Sequence, residues 1–504
     1  MGDLSPVQGF FYFGQKKQKS KKGGAKMGEI ITMQDAILKK IGLKVKGSYE
    51  EKRFRIEQFC SYQGITVKEL FRILAKEKKP CFIPLRKFGV ELEGGIPCSR
   101  EEFAGILSEN GISAYATGYN HDIVAKWKIG TDSSIRIEGL TPTEITSPQF
   151  IGMGERAGFK EIEKLLKIWN EKLNENGTSN GVNRTCGGHV HVDVYDFSLK
   201  DVFNLQMLVY CLWDLLKFLV PPSRRNNHYC NEIQPYHFED NFKVLKGYPQ
   251  DRYLCLNFNG FSNNLRNVEF RFWSGSTNVK KVKMHVVISL CLVETAKKKT
   301  IWNLIESVDR DYLTIEDFLD FIGVRGSHPV LKEVKEFAVQ RFNNFVELAG
   351  ADGLLKKEKI YKKIKEALKE AIVGILNSDC YSSLVKDFLG AEDLSEKERL
   401  SFGYALRISE KIKFRFDEES LKVEFPLKSS SNFVRMEVKD GEIICSCRKF
   451  RQEGKCIHSE GLHNVLIVLG LFGIEGNSRW SKIERYFNNE EEVNGVDSEV
   501  AVGA

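Results

Sequence analysis

Strict alternation of apolar and polar side chains constrains this chain more than any other feature, and Phe88–Gly94 shows it best. Phe88, Val90 and Leu92 share one parity; Gly89, Glu91 and Glu93 share the other. Successive side chains of a strand point to opposite faces, so the segment predicts a strand with an apolar back and two front carboxylates about 7 Å apart. Two carboxylates on a half-buried face repel each other and lose hydration unless a cation lies between them. Taken alone, the segment reads as a surface strand with a solvated acidic face.

The design recurs twice, and recurrence reverses that reading. In Gly188–Val194 the front carries His189, His191 and Asp193, and the back carries three valines. In Val268–Trp273 the front carries Glu269 and Arg271, opposite Val268, Phe270 and Phe272. Carboxylates with occasional imidazole suit Mg²⁺ or Mn²⁺. Asp132 and Glu144 add to the set if a ribbon closes the twelve residues between them. Asp132 is either a ligand or a turn residue. Carboxylates and imidazoles gathered around one arginine suit two or more divalent cations that hold a polyphosphate, with the arginine stabilising charge on the group in flight. No Walker-type glycine loop is present, so side chains and metals would hold the phosphates.

Around these strands the pattern predicts helices over Tyr49–Cys60, Thr66–Lys78, Lys160–Leu173, Leu199–Leu219, Lys281–Ile305 and Leu355–Leu376. A ribbon is expected from His121–Lys128 and Ile135–Glu138, and short strands at Glu144–Thr146 and Tyr253–Asn259. Strands joined by helices without a βαβ rhythm predict an α+β fold, an antiparallel sheet with outer helices. The 504 residues suggest several domains. We divide them into a basic disordered extension (1–28), a small helical segment (29–80), a catalytic domain (81–350), a helical spacer (351–425), a zinc-stabilised ββα module (426–470) and an acidic tail (471–504). The net charge of +7 permits an acidic partner without demanding one. Twelve cysteines, scattered singly apart from one cluster near the C-terminus, point to a reducing, cytoplasmic setting, and the apolar runs read as buried helices, with no membrane partner.

The ordered motifs Phe-Gly-Val-Glu-Leu-Glu, Asp-Ser-Ser with Glu-Ile-Thr-Ser-Pro, Gly-Gly-His-Val-His-Val, Pro-Pro-Ser-Arg-Arg, Leu-Asn-Phe-Asn and Val-Glu-Phe-Arg-Phe-Trp-Ser-Gly-Ser run from Phe88 to Ser276, within residues 81–350. This region resembles the amidoligases of the carboxylate–amine ligase superfamily, which includes glutamate–cysteine ligase and glutamine synthetase. The resemblance implies a curved antiparallel sheet and an ATP- and Mg²⁺-dependent synthesis of amide bonds through an acyl phosphate. It implies that Glu91, Glu93, Glu144 and Glu269 hold metal, a set that Asp132 joins if it is a ligand and not only a turn residue, and that His189 or His191 contacts metal or phosphate. Arg271 would stabilise the transferring phosphoryl group. Arg224 and Arg225 would bind a substrate carboxylate or a nucleotide phosphate. The substrates would be amino acids, peptides or proteins bearing a carboxylate and an amine.

Near the C-terminus, Cys445-Ser446-Cys447 is followed by Cys456-Ile457-His458, after a hairpin centred on Asp440-Gly441 and before an apolar stretch at Leu462–Leu471. Three thiolates and one imidazole make a closed, structural Zn²⁺ site. The pattern resembles the SWIM zinc finger, which implies a protein or DNA partner. Two other classes compete with the ligase reading: a zinc-dependent amidohydrolase using His189 and His191, and a non-catalytic binding protein on an inactive ligase fold.

Overall fold

The computed structural model describes residues 32–118, 122–155, 158–178, 180–225, 227–238, 251–262, 265–377, 413–417, 420–426, 433–439, 442–454, 456 and 459. The basic extension, the acidic tail, His458 and the Leu462–Leu471 stretch lie outside the described residues. The chain divides into two compact units after Ile56. In the first, Met33–Lys40 is a helix whose N-terminus is closed by a reciprocal Thr32–Asp35 capping box.

The second unit is built on an eight-stranded sheet. Its strands are β1 (Lys87–Ile96), β2 (Ala114–Ala116), β3 (Trp127–Gly130), β4 (Thr141–Thr146), β5 (Phe150–Ile151), β6 (Gly188–Asp193), β7 (Leu256–Asn257) and β8 (Asn267–Phe270). The order is β2-β3-β4-β1-β6-β8-β7, with β5 also pairing with β1. The back of the three central strands is buried as the alternation requires: Phe88, Val90, Val190, Val192, Val268 and Phe270 are all almost inaccessible. The Phe159–Glu175, Leu199–Leu216 and Val279–Lys298 helices complete this core. Asp201–Leu219 is long and apolar enough to cross a membrane, but it is mostly buried within the unit.

The expected curved, wholly antiparallel sheet is not what forms. The sheet is open and mixed, because β2 runs parallel to β3 with Ala114 opposite Trp127. A three-residue strand is too short to show alternation, and its direction depends on where the following segment returns the chain. The ribbon expected from His121–Lys128 and Ile135–Glu138 is also replaced. β3 pairs instead with β4, and residues 135–138 form no strand. The single helix expected over Lys281–Ile305 breaks into Val279–Lys298 and Ile301–Glu306, where Lys299 is extended and Thr300 caps the second helix.

Two further short strands, β9 (Tyr312–Leu313) and β10 (Leu355–Lys356), pair with each other, and the C-terminal ββα module needs the same kind of correction as the main sheet. The strands on either side of Asp440-Gly441, here β13 (Phe433–Lys439) and β14 (Glu442–Cys445), do pair. They are, however, half of a four-stranded antiparallel sheet that begins with β11 (Lys413–Asp417) and β12 (Ser420–Pro426).

Gly94 shows how tightly the sheet meets its helices. A Cβ there would sit 2.6 Å from the Gly181 carbonyl oxygen and 2.7 Å from the Trp169 ring. Trp169 is fully buried and donates to the Gly95 carbonyl at 3.0 Å, so it has little room to move. Gly94→Ala is therefore expected to lower stability by about 1–3 kcal/mol, the usual cost of overpacking. Urea unfolding would measure it, with an unchanged midpoint as the contrary result.

Candidate active site

Strand register brings the front residues into one array. Glu144 of β4 lies opposite Glu93 of β1, and Glu91 lies opposite His189 of β6. His191 in turn lies opposite Glu269 of β8. Directly opposed residues share a face, so four neighbouring strands present their polar side chains on the same side.

The array resolves into two triads. Ligand atoms of Glu91, His191 and Glu269 all lie within 4.8 Å of one another, and so do those of Glu93, Asp132 and Glu144. Adjacent front positions of β1 thus serve different triads. His189 sits between them. Its Nδ1 is 2.8 Å from Glu91 and 3.3 Å from Glu269, while its Nε2 is 3.5 Å from Glu93. At 4% exposure it is a buried strut between carboxylates. Asp132 also accepts from the Ser134 amide at 2.6 Å, so the turn and triad positions are one and the same. Asp193 lies apart from the triads and accepts from the Tyr195 amide.

The electrostatics of the two triads differ. Burial would push the Glu91 carboxyl up, but the charge of His191 and the hydrogen bond with His189 hold it well below the ordinary carboxylate range. Burial would lower His191, but Glu91 outweighs it and raises the imidazole to about 9. Its Nε2 lies 3.1 Å from Glu91 Oε1, yet is buried without a properly directed hydrogen bond. In the other triad, burial followed by the charges of Glu91, Glu93 and Asp132 raises Glu144 to about 8. Buried carboxylates at this spacing are the donor set expected of a hard divalent cation.

Arg271 closes one end of the array. Its guanidinium pairs with Glu269, and its Nε donates to the Tyr229 carbonyl at 3.4 Å. Arg224 is buried and donates to the Arg271 carbonyl. A Cβ on Gly187 would lie 3.1–3.2 Å from His189 Nε2, Arg224 Nη2 and Glu93 Oε1. The lack of a side chain there lets those three groups converge without crowding. Arg225 turns to other partners, the Lys217 and Val220 carbonyls and the Phe218 ring.

Two front-face residues went without a role in the sequence reading. Asn257 of β7 is buried opposite Glu269 and donates to its Oε2 at 2.8 Å. It lies in the Leu-Asn-Phe-Asn motif, but β7 is too short to show which face it serves. Lys128 of β3 lies opposite Thr146, which lies opposite Glu91, so it shares the same face. It is buried, and its ammonium donates to the Asp122 carbonyl.

At the far end of the chain, the Sγ atoms of Cys445, Cys447 and Cys456 lie within 4.8 Å of one another. β14 ends on Cys445, and Cys447 caps the Arg448–Glu453 helix, accepting from the Phe450 amide. The hydrogen bond with Cys456, then burial, pushes the Cys445 thiol up. Three thiols so close suit a soft or borderline cation.

The clustered carboxylates, imidazole and thiols give the chain a capacity for metal cofactors. Residues 84–293 match the family model Amidoligase_2, described as "Putative amidoligase enzyme". The match spans less than half of the chain and contains both triads and Arg271. It supports a protein of the ligase superfamily with enzymatic activity on substrates bearing carboxylates and amines. Comparison with curated proteins gives no match.

Proposed function

We propose that the chain is an ATP-dependent carboxylate–amine ligase that forms amide bonds through an acyl phosphate. The observation that carries this reading is the pair of acidic triads beside Arg271 on one sheet face. Glu91, His191 and Glu269 would hold one Mg²⁺ or Mn²⁺, and Glu93, Asp132 and Glu144 a second. When bound, the cations supply charge neutralisation for a polyphosphate. The substrate carboxylate attacks the γ-phosphorus of ATP, the bond to ADP breaks, and an acyl phosphate forms. The amine then attacks the acyl carbon, and phosphate and a proton leave.

In this scheme Arg271, held by Glu269 and the Tyr229 carbonyl, offers a fixed cation to the equatorial oxygens of the group in transfer. His189 keeps Glu91, Glu93 and Glu269 oriented, and Asn257 fixes the free oxygen of Glu269. Arg224 reaches the same end of the face and would bind a phosphate or a substrate carboxylate. The hydrolase reading requires His189 and His191 on one ion. Among the described residues the triads contain His191 alone, and His189 is engaged by carboxylates on both ring nitrogens. The test is an ADP-release screen over amino acids and peptides with Mg²⁺, followed by product mass. A product equal to two substrates less water supports the ligase; turnover without nucleotide sinks it.

The cysteine cluster would bind one Zn²⁺, with His458 as the fourth ligand, and the module would recruit a protein or nucleic-acid partner. Cys445→Ser is expected to release about one zinc per chain and to spare basal ATP turnover. Metal analysis and ADP assay of the full-length variant check this, and unchanged zinc would refute the assignment.

A further inference from the structure

A second charged cluster lies outside the two triads and, among the described residues, contains no carboxylate. Arg225 follows the Pro222–Arg224 turn, Lys281 lies in the first turn of the Val279–Lys298 helix, and Arg341 lies on the Pro329–Ala349 helix. Each is anchored by a main-chain carbonyl. Arg225 Nε donates to Lys217 and Val220 at 2.8 and 3.2 Å, Arg341 Nε to Leu219 at 2.6 Å, and Lys281 Nζ to Gly275 at 3.3 Å. The two guanidiniums also share the Phe345 ring, with Cζ atoms 5.2 and 4.7 Å from its centroid.

These anchors use the Nε of each arginine and leave the terminal fork, the part that matches an oxyanion bidentately. Arg225 Nη2 is buried without a hydrogen-bond partner. The neighbouring Arg224 Nε and His285 Nε2 are also buried and unpartnered, and His285 stacks on Trp273 at 4.5 Å. Other partly buried cations of this unit behave differently: Arg86 pairs with Asp196 and Glu294, and Lys283 with Glu163 and Glu333. Among the described residues, no carboxylate pairs with Arg225, Lys281 or Arg341.

The cluster is strained by its own charge. Burial, then Arg341, lowers the Lys281 ammonium to about 8. Burial, then Arg225, lowers Arg341 to about 10. Burial, then Lys281, Arg341 and Arg224, holds the His285 imidazole well below its ordinary range. Lys281 also stands where the helix macrodipole is positive, the end at which a cation is disfavoured. Helix N-termini and arginine forks both favour anions.

We infer that Arg225, Lys281 and Arg341 form a receptor for an oxyanion, either a phosphoryl group or a carboxylate. An anion seated there would satisfy the open guanidinium forks and offset the mutual repulsion. This site uses none of the triad residues; it extends to Lys281 and Arg341 the carboxylate- or phosphate-binding role that the family resemblance implies for Arg225, and its test needs neither nucleotide nor ligase activity.

Equilibrium titration of the full chain with inorganic phosphate and, separately, malonate tests the inference. It is run against chloride at constant ionic strength, without metal or nucleotide, with calorimetry and thermal unfolding as readouts. One of the two anions is expected to bind saturably and to raise the melting temperature, which identifies the group. Arg341→Met and Lys281→Met should each weaken that binding at least tenfold. Without anion, each variant should melt at or above the wild-type temperature, because a partly buried, uncompensated cation is gone. The inference is overturned if neither anion saturates, or if binding survives both substitutions. It also fails if both variants melt well below wild type without anion, since the cations would then be structural anchors.

Discussion

Replacing Glu269 with glutamine is expected to reduce ADP formation by about a thousandfold, the scale seen when one preorganised charge is removed from a reacting phosphoryl or acyl centre. Glu269 is buried and meets His189, Arg271 and Asn257 at once. Glutamine keeps the shape and removes the charge that would hold a cation and orient Arg271. It also leaves Arg271 short of its carboxylate partner, and breaking a buried pair costs stability. Circular dichroism and thermal unfolding must therefore accompany the kinetics. A folded variant with lost turnover supports the proposed role, and a folded variant with normal turnover contradicts it. Loss of folding would mark Glu269 as structural.

Glu144→Gln should have the opposite effect on the metal-free fold. The folded protein raises the Glu144 carboxyl from an ordinary 4.5 to about 8, first through burial and then through Glu91, Glu93 and Asp132. A group raised on folding contributes its full stability below the unfolded value and loses it as pH rises through the folded one. Metal-free wild type should thus lose stability between about pH 4.5 and pH 8, relative to the glutamine variant. Near pH 8 the variant should melt at least ~5 °C higher, and near pH 4.5 the two should converge. Mg²⁺ should then raise the wild-type midpoint more than the variant's, because an anionic carboxylate ligates it more strongly than a neutral amide oxygen. Parallel melting curves for the two proteins across this pH range would contradict the crowding argument.

These two substitutions carry opposite signs because the triads are built differently. Glu91 is balanced by two imidazoles and Glu269 by a guanidinium. The other triad, Glu93, Asp132 and Glu144, consists of carboxylates alone. One triad is therefore largely satisfied by the chain itself, and the other is the more demanding of a cation.

Much of the front face could be read without coordinates. Period-two alternation assigns Glu91, Glu93, His189, His191 and Glu269 to the polar sides of their own strands, because a strand has only two sides. The apolar partners at Phe88, Val190 and Val268 then have to be buried, and they are. Residues on short strands escaped this argument. β2 and β7 have three and two residues, so neither the parallel pairing of Ala114 nor the inward aim of Asn257 leaves a pattern in the chain. The basic cluster was hidden for another reason. Of its three residues the sequence reading named Arg225 alone; Lys281 and Arg341 come from separate segments, and local sequence carries no signal that packing brings them together without acidic partners.

The sequence by itself determined that three strands each carry an apolar back and an ionisable front, since side-chain direction follows from backbone geometry alone. Tertiary structure decided what those fronts do to one another. Register set Glu93 opposite Glu144 and His191 opposite Glu269, and so divided one acidic face into two triads. It also left the sheet open and mixed, because strand order and direction depend on how helices and loops return the chain. Charge balance is likewise a long-range property: whether a buried cation is paired depends on neighbours that packing supplies.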